Sequence, residues 1–174
     1  RSQTMADFEA ERSEFEIILQ TPGASTAQYL SVEPDAGKVF ADFLLDSEFE
    51  ERRVALLFGR WVDEEASGGK RGVLVDVLYE PPQECTEDTM AIEGTSEAHA
   101  EVARATKIAQ ALGLTTVGFA FAHPPRFHTL EVPELQAMVE QQRAAAEADP
   151  VAKDLFVGVR FRAAARGGAR QSRG

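Results

Sequence analysis

Val54 to Phe58 read Val-Ala-Leu-Leu-Phe, an unbroken apolar run that leaves no polar face for water. A strand of that kind must be covered on both sides, whereas a strand with one wet face alternates apolar and polar residues. Gly72 to Tyr79 (Gly-Val-Leu-Val-Asp-Val-Leu-Tyr) and Thr116 to Phe121 (Thr-Val-Gly-Phe-Ala-Phe) are two further predominantly apolar strand candidates. Three such runs demand a sheet with helices on its faces. Each falls far short of the roughly 18 apolar residues needed to cross a bilayer, so no membrane span is expected.

Residues between the runs supply the helices. Asp35 can cap a helix over about 35 to 46, in which Val39, Phe40, Phe43 and Leu44 recur at helical spacing and are expected to face inward. A second helix starts near Thr95 or Ser96. Ala98, Val102, Ala105, Ala109 and Leu112 trace its apolar stripe, and Gly113 stands where a C-cap glycine belongs. A third spans about Glu131 to Ala148 with Leu135, Met138 and Val139 inward, followed by a strand over Leu155 to Phe161. Phe15 to Leu19 is a first strand candidate, turned at Pro22-Gly23. Ser67 to Lys70 is a flexible turn, Pro81-Pro82 ends a strand, and Glu84 to Gly94 reads as an acidic linker. The order β-α-β-β-α-β-α-β gives an α/β mixed sheet with flanking helices.

At 174 residues the chain suits one domain with tails. The expected division is an N-terminal extension over 1–28, a domain over 29–162 and a flexible basic tail over 163–174. Met5 sits behind Arg1-Ser2-Gln3-Thr4, as in an excised, processed or tagged piece of a longer protein. The net charge of −11 argues against general affinity for nucleic acid phosphates. Five arginines from Arg160 onward leave 13 basic against 29 acidic residues, a net of −16, in the rest. A lone cysteine, Cys85, forms no internal disulfide, which fits a reducing compartment.

His123 and His128 lie after the Thr116–Phe121 strand, beside Glu131 and Glu134. By residue type that group resembles a metal site; by spacing it does not, because two histidines five apart in a loop lack paired helical geometry. His99 falls between the apolar positions of its helix and is given no chemistry. Neither a nucleophilic serine turn nor a glycine-rich phosphate loop is present.

Three segments carry a resemblance. Leu57-Phe58-Gly59-Arg60-Trp61, Tyr79-Glu80-Pro81-Pro82-Gln83, and Leu112-Gly113-Leu114 leading to Val117-Gly118-Phe119 resemble, in order and spacing, the MPN domain of the nuclear protein localisation 4 family. The resemblance runs over roughly 29 to 162. It implies an MPN fold (JAMM-like, cytidine-deaminase-like). Active MPN proteases carry an upstream glutamate and then H-x-H-x7-S-x2-D. Laid on this chain, that pattern puts Phe121 on the first histidine, His123 on the second, Glu131 on the serine and Glu134 on the aspartate, with Arg60 near the glutamate. Phenylalanine binds no zinc, and arginine repels it and is no base at neutral pH. The expectation is therefore a pseudoenzyme with no catalytic residue, metal or other cofactor.

What the family does is implied by the resemblance only: an adaptor, in cytoplasm and nucleus, that with ubiquitin fusion degradation protein 1 brings ubiquitylated substrates to the valosin-containing AAA ATPase. The family's zinc-finger and ubiquitin-like segments have no counterpart in these residues, so contact with ubiquitin or unfolded substrate is expected before ATPase docking. Tyr79, Glu80, Pro81, Pro82 and Gln83 are a candidate partner-binding segment, an aromatic beside a rigid proline pair; the same residues also serve simply to end a strand. The alternative role is a structural MPN subunit of a large assembly, such as a proteasome-lid-like or translation-initiation-like particle.

Overall fold

The computed structural model describes residues 25–62 and 69–163. Its elements run β1 (Tyr29–Val32), α1 (Pro34–Asp46), β2 (Arg53–Val62), β3 (Gly72–Tyr79), β4 (Gln83–Cys85), β5 (Met90–Ile92), α2 (Ser96–Ala111), β6 (Thr115–Ala122), α3 (Val132–Ala148), α4 (Ala152–Leu155) and β7 (Val157–Phe161). Five strands form one mixed sheet in the order β1-β3-β2-β6-β7. β2 lies at its centre, antiparallel to β3 and β6, while β1 joins β3 and β7 joins β6 in parallel. Among the described residues no helix is long and apolar enough to cross a membrane.

The apolar runs become the three inner strands; β2 and β6 are buried from both faces, whereas β3 is buried through Val73 and Val75 on the α1 side and leaves Val77 40% exposed on the other. Ala55, Leu57, Ala120 and Ala122 pack with Phe40 and Leu44 of α1 and with Leu155. Val54, Leu56, Phe58, Phe119 and Phe121 pack on the opposite face with Ala109 and Val102 of α2 and with Ala137 and Met138 of α3. Two bulges flank Phe58. On one side Phe58 pairs with Val77 and Gly59 with Val75, which leaves Asp76 as the extra residue; on the other Leu57 pairs with Gly118 and Phe58 with Thr116, which leaves Val117. Val117 thereby joins the α1 side of the core although Phe119 does not. A side chain at Gly59 would place its Cβ 1.9 Å from the Leu74 carbonyl oxygen. The bulge therefore requires glycine there.

Several expectations are corrected. The Phe15–Leu19 candidate, the Pro22-Gly23 turn and part of the Ser67–Lys70 turn lie outside the described residues. The first described strand, Tyr29–Val32, was not expected, being too short and too exposed at its centre to stand out by periodicity. Glu33, not Asp35, is the N-cap of α1, without a side-chain cap bond, because Pro34 takes the first helical position. Of that helix's apolar residues Phe40 and Leu44 are buried, while Val39 and Phe43 are exposed, Phe43 lying 4.4 Å beneath the Arg53 guanidinium. Leu112 is also exposed. The acidic linker is a small hairpin, β4 paired with β5 in antiparallel register from Gln83↔Ile92 to Cys85↔Met90. Leu155 ends α4 rather than opening β7.

Candidate functional site

The most concentrated polar structure lies where β6 ends and α3 begins. Glu131 is the N-cap of α3 and Glu134 its third residue. Each carboxylate accepts a hydrogen bond from the other's backbone N–H, with Glu131 N–H reaching Glu134 Oε2 at 2.9 Å. Such a capping box satisfies two amides that a helix start otherwise leaves unpaired. It also turns Glu134 toward the sheet, where its exposure is 0%.

A buried carboxylate needs compensation. Two arginines provide it. Arg52, just before β2, donates from Nη1 to Glu134 Oε1 at 3.0 Å and from Nη2 to Glu131, while its Nε donates to the Glu87 carbonyl at 2.9 Å. Arg126, in the loop after β6, forks onto both oxygens of Glu134 at 2.7 and 2.5 Å, with Nη1 3.2 Å from Glu131 Oε2. His128 closes the outer side against Glu131. Hydrogen bonds from His128 and Arg52 hold the Glu131 carboxyl down at about 2.

His123 lies alongside, only 4% exposed, its ring stacked 6.4 Å from Phe121. Nδ1 is 2.6 Å from the Pro124 carbonyl. A carbonyl only accepts, so Nδ1 carries the proton and Nε2 presents a bare lone pair. That atom is buried with no hydrogen-bond partner among the described residues. Burial lowers the His123 pKa, and the Pro124 bond only partly opposes this.

A zinc ion does not fit this donor set. His123 Nε2 offers one ligand, but both Glu134 oxygens are taken, Phe121 offers none, and two guanidiniums stand where a dication would. Among the described residues no three or more His, Cys, Asp and Glu side chains are grouped to hold a metal ion. Of the positions the metal pattern picks out, Phe121, His123, Glu131 and Glu134 come together. Arg60 does not. The β2–β6 ladder runs from Arg53↔Ala122 to Gly59↔Thr115, which puts Arg60 at the far end, where it pairs with Asp76 at 3.0 Å. The cation facing Glu134 is Arg52, eight residues earlier. Arg52 and Arg126 escaped the sequence reading because only the fold tells them from surface arginines. The available signal was the Glu131/Glu134 spacing, which marks a capping box and hence a carboxylate turned back on its helix.

The Tyr79–Gln83 segment has a separate structural task. β3 stops pairing at Tyr79↔Leu56, so Val54 extends past it with its backbone exposed on that edge. Gln83 replaces the missing strand: its Oε1 accepts from Val54 N–H at 2.8 Å and its Nε2 donates to the Val54 carbonyl at 3.1 Å. Pro81 is buried, Pro82 and Tyr79 are half-buried, and Glu80 is exposed. Burial raises the Tyr79 pKa, with the Glu101 carboxylate adding to it. Beside β5 a cavity of about 550 Å³ opens between α2 and α3, floored by Val54 and Phe119 and walled by Met90, Ile92, His99 and Gln136.

These features define a mixed α/β domain whose site region is a closed lattice of ion pairs beside an open groove. The sequence model of the NPL4 family matches residues 53–125, from the first residue of β2 to just past His123. Nuclear protein localization protein 4 homolog of Dictyostelium discoideum is 32% identical over 107 residues, covering 60% of this chain. The chain spans only 16% of the length of that relative. The solution structure of a protein from Desulfitobacterium hafniense superposes with a TM-score of 0.40 at 16% identity, over 67% of each chain, a likeness too slight to define the fold.

Proposed function

We propose that the chain is a non-catalytic, MPN-type binding domain of the ubiquitin pathway. In this reading it serves an adaptor that, with ubiquitin fusion degradation protein 1, brings ubiquitylated substrates to the valosin-containing AAA ATPase in cytoplasm and nucleus. The family match over 53–125 supports the setting. The observation that carries the absence of catalysis is the saturation of Glu134: a fully buried carboxylate with both oxygens held by Arg52 and Arg126 has no lone pair for a metal and no freedom to move a proton. Within Tyr79–Gln83, the part available to a partner is Glu80 with the accessible faces of Tyr79 and Pro82, since Gln83 and Pro81 serve the sheet edge.

The test is capture of purified polyubiquitin chains, and separately of the segregase ATPase, by the immobilised chain. Saturable binding of ubiquitin chains without cleavage is expected. Binding of neither removes the adaptor reading, and isopeptide cleavage with stoichiometric zinc overturns the non-catalytic one.

A further inference from the structure

We draw no further inference here: the strongest candidate, the cavity between α2 and α3 with β5 on its wall, carries nothing beyond the binding role already proposed, because nothing in the structure shows what covers it.

Discussion

Arg52 Nη1 stands 3.0 Å from Glu134 Oε1, and this pair ties the start of β2 to the first turn of α3 across 82 residues of chain. Both side chains are nearly or fully buried, so neither has water to fall back on. The pair is also what separates this site from a metal centre, because the guanidinium takes the oxygen a metal would need.

Removing one member should therefore cost far more than removing both. Glu134→Ala leaves two buried guanidiniums without their anion and is expected to lose about 3–5 kcal/mol. Arg52→Met with Glu134→Leu should recover part of that loss. Urea unfolding of the parent and the two variants gives the comparison, and equal stability of all three would show the lattice to be idle.

Acid should weaken the fold in two steps. His123 has a lowered pKa in the folded state, so protons favour the unfolded chain: the contribution is intact above its ordinary value of 6.5 and declines as pH falls below it. Glu131, held at about 2 against 4.5, contributes fully above 4.5 and loses its contribution as pH falls toward 2. Urea midpoints between pH 8 and 2 should show both declines. His123→Phe should remove the upper one and Glu131→Gln the lower.

Gln83→Ala should unpair the Val54 N–H and carbonyl, at about 1–3 kcal/mol. Gln83→Glu keeps the acceptor for Val54 N–H and loses the donor, so an intermediate effect is expected. Hydrogen exchange at the Val54 amide reports the bond directly. Unchanged protection in Gln83→Ala would mean that the amide does not replace a strand.

Gly59→Ala forces a Cβ to within 1.9 Å of a backbone oxygen in the adjacent strand. Since backbone must move, the variant should melt at least several degrees lower or fail to accumulate as folded protein. A melt within one degree of the parent would mean that the bulge can open without cost.

The centre of the sheet was legible because β2 and β6 are covered on both faces. An apolar run such as Val54–Phe58 has few other ways to be buried, and α2 was legible from Thr95, whose side chain accepts from Ala98 N–H, to Gly113 at φ +78°. Helix α3 was placed correctly and faced wrongly. Met138 does meet the sheet, but Leu135 and Val139 point outward and Glu134 points in. The pattern offered two apolar faces and no local means of choosing between them. A capping box and two arginines made the buried face the one with the glutamate. The Glu84–Gly94 hairpin was missed for a related reason: strands of three residues carry too little period to read.

The sequence by itself determined the central strands and the limits of α1, α2 and α3 within a residue or two. Those depend on local composition and periodicity. Tertiary structure alone decided that Arg52 rather than Arg60 faces Glu134, that Gln83 completes a sheet edge, and that one apolar stripe of α3 is left exposed. Each of these joins residues far apart in the chain, or chooses between faces that look alike locally, and only the register of β2 against its neighbours and the packing of α3 settle it.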